Sequence, residues 1–172
     1  MKPKMDMQAM ESDISLFTPK KAWQKTPLIG EGAYNGVYRL SEKDVVKVNL
    51  WREETDIQRF EHECDIAQEC WRNGIAVPEP RGIFNVELFN EKNYGTKLGF
   101  VMEYIPGTRL IDLMIRPTLI PELDRIEDLW NSEIDKARNL KLNLKDVRSY
   151  NAIWCPERDK VYLIDFEAWE RK

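Results

Sequence analysis

This sequence has a single histidine, His62, among its 172 residues. Zinc sites built on several histidines, H-E-x-x-H peptidases and acid/base schemes that pair two histidines are therefore excluded by count. A Ser-His-Asp or Cys-His site would have to recruit His62, which sits between Glu61 and Glu63 inside a helical pattern. Cysteine is almost as scarce. Cys64, Cys70 and Cys155 form no C-x-x-C pair, and an odd count argues against a disulfide framework. That usage fits a reducing, cytoplasmic setting, with a secreted effector as the alternative. Basic residues do not exceed acidic ones, 26 against 30 for a net charge of −4, which argues against general nucleic-acid binding. No apolar run approaches the ~18 residues of a membrane span, and Met1–Leu16 lacks the apolar stretch of a signal peptide. What remains for an enzyme is the chemistry of carboxylates, Asn, Lys, Arg and a bound metal.

What is present is a chain 42% apolar, long enough at ~150 residues per domain for one domain or two small lobes. Residues 1–19 are polar and aperiodic and read as a mobile arm. Trp23–Ile29 predicts a strand running into a turn at Gly30-Glu31-Gly32, with Gly36–Leu40 resuming the extended pattern. Ser41–Asp44 turns the chain into the β-branched run Val45-Val46-Lys47-Val48. Glu53 to Asn73 predicts a helix with Ile57, Phe60, Cys64, Ala67 and Trp71 as its apolar stripe and Gly74 as its stop. Val77-Pro78-Glu79-Pro80 forces an extended linker. Gly82–Phe89 and Leu98–Ile105 read as a hairpin around Asn93-Tyr94-Gly95. After the Pro106-Gly107 break come a short helix over Leu110–Ile115 and a longer one whose apolar face is Leu123, Ile126, Trp130, Ile134 and Ala137. Ala152–Trp154 and Val161–Ile164 then form a hairpin about Pro156–Asp159. Strands followed by helices indicate α+β, with a β-rich lobe over 20–105 and a reduced helical lobe over 106–172. A cleft between two such lobes is where a ligand would sit.

Three constellations bear on chemistry. Gly30 and Gly32 let a backbone approach a phosphate without Cβ interference, and Val37 is placed to cap an adenine, although glycines between strands ordinarily make only a hairpin. Lys47 alternates onto the face opposite Val46 and Val48, where an ammonium needs a partner unless the strand is an exposed edge. Glu61 and Glu63 on the following helix are candidates. Finally, Asp146 and Asn151 in one loop and Asp165 after Leu163-Ile164 look like oxygen ligands for Mg²⁺, whereas each taken singly would pass for a cap or a turn residue.

Taken in order, these segments resemble the protein-kinase-like superfamily. Gly30-x-Gly32-x-Tyr34-Asn35-x-Val37 is similar to the Gly-rich loop, with Asn35 in place of its third glycine, and Val45-Val46-Lys47 resembles V-A-I-K. Glu63 fits the helix glutamate that pairs with the lysine, with Glu61 as the alternative. Phe100–Gly107 resembles the hinge, Leu144-Lys145-Asp146-x-x-x-x-Asn151 the catalytic loop, and Asp165-Phe166-Glu167 the D-F-G motif. The proline-flanked linker and the Met102–Thr108 hinge are similar to those of small RIO-type, tRNA-modification-associated and lipopolysaccharide-type kinases.

The resemblance implies a bilobal kinase-like α+β fold and an ATP-dependent phosphotransferase of the serine/threonine protein kinase type. Its cofactors would be ATP and Mg²⁺ or Mn²⁺. Lys47 would contact the α/β-phosphates, Met102 would line the pocket, and the backbones of Glu103 and Ile105 would meet adenine. Asp146 would be the base, Arg148 would offset γ-phosphate charge, and Asn151 and Asp165 would hold the metal. The acceptor would be an unidentified hydroxyl, on a protein rather than a small molecule.

The departures matter as well. Leu144 and Lys145 replace the His-Arg of H-R-D, which removes the arginine that reads a phosphorylated activation segment. Glu167 replaces the D-F-G glycine, which either stiffens the turn or adds an outer-shell metal contact. Asp165 lies so near Lys172 that neither an activation segment nor an A-P-E motif follows it here, so the acceptor is expected to dock elsewhere. A nucleotide-binding pseudokinase acting as an interaction module, a small-molecule kinase and an AMP transferase are the alternatives.

Overall fold

The computed structural model describes residues 26–32, 34–50, 57–89, 94–115 and 122–172. The arm expected over 1–19, residues 23–25 of the first expected strand, Ala33, Asn93 and the start of the helix expected from Glu53 lie outside them. Packing divides the chain into two units. One takes the residues up to Ile57 together with Arg81–Met102; the other takes Gln58–Pro80 and Glu103–Lys172.

The first unit is built on a five-stranded sheet of β1 (Leu28–Glu31), β2 (Asn35–Arg39), β3 (Asp44–Asn49), β4 (Pro80–Phe89) and β5 (Tyr94–Glu103), in the order β1-β2-β3-β5-β4. The β2–β3 turn is held by Ser41, whose Oγ accepts the backbone N–H groups of Lys43 and Asp44 at 3.0 Å each. Alternation sorts the side chains as the valine run predicts. Tyr38, Val46, Val48, Val86, Leu88 and Val101 form one buried cluster, and Lys47 faces away from it. Gly99 lies where a Cβ would press on the Lys47 carbonyl at 2.8 Å, so only glycine lets β5 lie this close to β3. Tyr94 and Gly95, expected in the turn, are the first residues of β5, and β5 ends at Glu103 rather than Ile105.

In the second unit, α1 (Ile57–Arg72) ends as expected at Gly74. The glycine takes φ +73°, its N–H meets the Trp71 carbonyl at 3.1 Å, and the Ile75 N–H meets that of Cys70 at 3.1 Å, so the last carbonyls are satisfied by a left-handed cap. Phe60, Glu63, Cys64, Ile66, Ala67 and Cys70 are its buried residues. The ends of the expected stripe differ: Ile57 and Trp71 are 41% and 46% exposed, while Phe60 and Cys70 in the same turns are buried, so the covered face is narrower at the ends than the stripe predicts. After α1 the unit contains β6 (Thr108–Arg109), α2 (Leu110–Met114), α3 (Leu123–Asn139), β7 (Leu142–Asn143), β8 (Ala152–Cys155), β9 (Lys160–Leu163) and β10 (Glu170–Arg171).

The β8–β9 hairpin is its centre. Ala152, Trp154 and Val161 pack with Leu110 of α2 and Ile126 of α3, while Cys155 and Tyr162 turn to Ala76 and Ile105. Alternation again splits the two faces. Gly107 makes the β6–β8 pairing possible, since a Cβ there would run into the Trp154 carbonyl. From α3, Glu133 reaches back to accept the Ala76 N–H at 2.8 Å, and the Ala76 carbonyl accepts the Leu163 N–H at 2.9 Å. The linker is thereby tied to helix and hairpin at once.

Candidate functional site

Strand register accounts for the placement of the residues of the first unit that were expected to meet a nucleotide. Gly30 is opposite Val37 across β1–β2, and Val37 is opposite Lys47 across β2–β3, so the three form one row across the sheet. Lys47 is buried at 6% exposure, which for an ammonium demands compensation by polar groups. A Cβ on Gly30 would come no nearer to Val37 than 3.8 Å and one on Gly32 no nearer than 3.7 Å to the Asn35 carbonyl, so neither glycine is required by packing. Met102 is half-buried near the end of β5.

In the second unit, the Glu103 N–H donates to the Glu79 carbonyl at 2.9 Å, and its carboxylate takes Arg158 at 2.7 Å and the Glu79 N–H at 3.3 Å. The Glu103 N–H, one of the backbone groups expected to meet adenine, is thus taken by the Glu79 carbonyl. Ile105 is buried beside Ala76, Cys155 and Tyr162.

The loop from Asp146 to Asn151 folds onto its own aspartate. Asp146 Oδ1 pairs with Arg148 Nε at 2.7 Å and accepts the Tyr150 hydroxyl at 3.3 Å. Asn151 Nδ2 donates to the Asp146 carbonyl at 3.0 Å and to Oδ2 at 3.3 Å, which leaves Asn151 Oδ1 as the atom to offer a cation. The Arg148 guanidinium lies over the Tyr150 ring, 5.6 Å from its centre. Asp146 takes φ +58° and Asp165 φ +66°, both left-handed conformations that aspartate tolerates better than most residues. Lys145 donates to Glu170 at 2.7 Å, and that bond holds the exposed Glu170 carboxyl below its ordinary range.

The hairpin brings the two expected metal ligands to one end. Ala152 is opposite Leu163, and the Ile164 N–H donates to the Asn151 carbonyl at 3.0 Å, so Asn151 opens the hairpin where Asp165 leaves it. Asp165 meets two further carboxylates there. Glu63, 2% exposed on α1, and Glu167 offer oxygens that lie with that of Asp165 within 4.8 Å of one another. Trans oxygens of an octahedral Mg²⁺ stand about 4.2 Å apart, and all three donors are hard oxygens, so Mg²⁺ or Mn²⁺ fits this set with slight closure. Glu63 also accepts the Phe166 N–H at 3.3 Å, and Glu167 pairs with Arg59.

The resemblance pairs Glu63 with the lysine and leaves Glu167 as either a stiffener of the turn or an outer-shell metal contact. It gives no role to Arg59 or Tyr150. The spacing held a clue to both, since Arg59 precedes Glu63 by one helical turn and Tyr150 follows Asp146 by four residues.

A small α+β fold with a β-rich sheet, few helices, a strand lysine and an aspartate-closed hairpin is the kinase-like fold. No family model and no curated protein sequence matches this chain. By structure it is similar to WbdD, known from a 2.2 Å crystal structure, with a TM-score of 0.59 and 18% identity. The match covers 87% of this chain and 34% of WbdD, so the chain spans about a third of that protein. At this identity the likeness establishes the fold. No helix among the described residues is long and apolar enough to cross a membrane.

Proposed function

We propose that this chain is an ATP-dependent phosphotransferase of the serine/threonine protein kinase type, with a hydroxyl on a protein as its acceptor. The observation that carries it is the Asp146–Asn151 loop closed against the hairpin end that bears Asp165. Gly30, Gly32, Val37, Lys47, Glu63, Met102, Glu103 and Ile105 are the residues the reading assigns to the nucleotide. Asn151 and Asp165 would hold Mg²⁺ or Mn²⁺, which supplies charge neutralisation at phosphate oxygens.

The chain's own part in the reaction is orientation and proton transfer. Tyr150 and Asn151 fix the Asp146 carboxylate from both of its oxygens. The acceptor hydroxyl gives its proton to that carboxylate as its oxygen bonds the γ-phosphorus and the bond to the β–γ bridging oxygen breaks, releasing ADP. Arg148, 64% exposed and seated on the Tyr150 ring, is free on its outer side to turn from Asp146 to the transferring phosphoryl group.

A general base is worth ~10²–10⁴ in rate, so Asp146→Asn should lower turnover by that order and change nucleotide affinity by less than about threefold. Purified protein incubated with Mg²⁺ or Mn²⁺, labelled ATP and cell lysate tests the reading directly. Absence of both autophosphorylation and transfer to any lysate component refutes it. Nucleotide binding without turnover would instead establish the pseudokinase alternative.

A further inference from the structure

Four contacts run along one side of α1 to the segment that follows Ile164. Arg59 pairs with Glu167, His62 Nε2 meets the Trp169 carbonyl at 2.6 Å, Glu63 accepts the Phe166 N–H at 3.3 Å, and Glu69 takes Arg171 at 2.8 Å. Residues 59, 62/63 and 69 recur at helical spacing, so the segment lies as a strap along about three turns. Phe166 and Trp169, each 2% exposed, anchor the strap between its polar ties and pack edge to face with ring centres 5.0 Å apart. The two contacts nearest the acidic cluster come from one helical turn: Glu63 holds the residue after Asp165, and Arg59 holds the residue after that.

Three carboxylates within 4.8 Å repel, and Arg59 is a cation that meets one of them. We propose that Glu167 is a positioning residue: its pair with Arg59 locks the Asp165–Glu167 turn to α1 and thereby sets Glu63 beside Asp165. The functional sense of this rests on the phosphotransferase reading, but the lock itself does not. Although its carboxylate lies within reach of the same ion, on this reading Arg59 engages it and Glu167 acts through the turn rather than as a ligand.

Charge reversal separates the two roles, because a swapped ion pair restores a lock and destroys a ligand. The variants are Arg59→Glu, Glu167→Arg and the two combined, with Glu167→Gln as the milder change should a reversal fail to fold. The first readout is amide hydrogen exchange across residues 58–66 in the full chain. Each single reversal should speed exchange by about fivefold, as expected for a partly exposed ion pair and its replacement by repulsion, with Glu167→Gln in between. The double variant should return within about twofold of the unmodified chain.

The second readout is Mn²⁺ affinity, measured with the metal alone. In the double variant it should stay within about threefold of the unmodified chain. Unchanged exchange in the singles, or a double variant no better than they are, overturns the proposal. A double variant that regains protection but loses more than about tenfold in Mn²⁺ affinity makes Glu167 a ligand and also overturns it. If the unmodified chain binds no Mn²⁺ either alone or together with a non-hydrolysable ATP analogue, the phosphotransferase reading fails while the exchange arm still decides the lock.

Discussion

Glu133 offers the most direct test of how the second unit is held together. It lies on the buried side of α3, 9% exposed, with Oε2 accepting the Ala76 N–H at 2.8 Å and Oε1 taking Lys136 at 2.5 Å. Replacing it by alanine removes a hydrogen bond to a charged acceptor, worth ~1.5–3 kcal/mol, and leaves the Ala76 N–H buried without its partner. The Lys136 pair adds little, since that side chain is 48% exposed and surface pairs contribute ~0–1 kcal/mol. Alanine's better helix propensity returns a few tenths of a kcal/mol. The sum is a loss of about 2–3 kcal/mol, or roughly 4–12 °C in Tm for a chain of this size.

Glu133→Gln keeps an acceptor in place and should lose about 1 kcal/mol, and Lys136→Ala less than about 0.5 kcal/mol. Urea unfolding followed by both tryptophan fluorescence and circular dichroism measures all three, with coincident transitions licensing the two-state treatment. The reasoning is refuted if Glu133→Ala costs under 0.5 kcal/mol on that ~1 kcal/mol scale, or if Lys136→Ala costs as much. Either result would mean that the buried amide is not what Glu133 serves.

Other substitutions probe the site and its frame. Gly107→Ala drives a Cβ into the Trp154 carbonyl and should cost ~1–3 kcal/mol by thermal melt, whereas Gly74→Ala meets open space and should cost only the ~1 kcal/mol of a left-handed backbone. Tyr150→Phe removes the hydroxyl that holds Asp146 Oδ1 and should lower turnover about two- to fivefold with nucleotide affinity unchanged, while Tyr150→Leu also removes the ring beneath Arg148 and should lower it further, about tenfold. Burial pushes the Cys64 and Cys70 thiols up from 9.0 to about 12. Between those values the unfolded chain sheds protons the folded chain keeps. Stability should therefore fall above pH ~9 by up to about 1.4 kcal/mol per pH unit for each thiol, measured as urea midpoints at pH 8 and 10. All three free cysteines are buried, so a thiol reagent should label none of them at pH 8 until denaturant is added.

Features legible in the sequence were those with a local period or a local turn. The valine run around Lys47, the Gly74 stop and the Pro156–Asp159 turn each declare themselves within a few residues, and β3, α1 and the β8–β9 hairpin follow from them. The two-residue pair of β7 with β10 has no period to read, and it joins segments far apart in sequence. Helical spacing put Ile57 and Trp71 on the buried stripe because periodicity reports direction and not how wide the covered face is at each turn. At the site, residue types and order pointed to Asp146, Asn151 and Asp165. The left-handed backbones of the two aspartates, the cover of Tyr150 and Arg148 over Asp146, and the turn of Glu63 toward Phe166 are tertiary facts.

The hairpin that joins Asn151 to Asp165 also determines where the chain can accept length changes. Its strands pair without a bulge from Ala152–Leu163 to Cys155–Lys160, and the Ile164–Asn151 bond continues that register to the last residue before the aspartate. Losing one residue from β9 would slide Asp165 past Asn151 and turn every later side chain to the opposite face, so a single-codon deletion there should be as damaging as removing the aspartate. At the far end, the turn at Glu157 and Arg158 lies about four strand residues away, roughly 13 Å along the hairpin. Extra residues there would lengthen the turn and loosen the Arg158 pair with Glu103, but they would leave the register at the open end unchanged, which makes that stretch the place to insert a tag or reporter without disturbing Asn151 and Asp165.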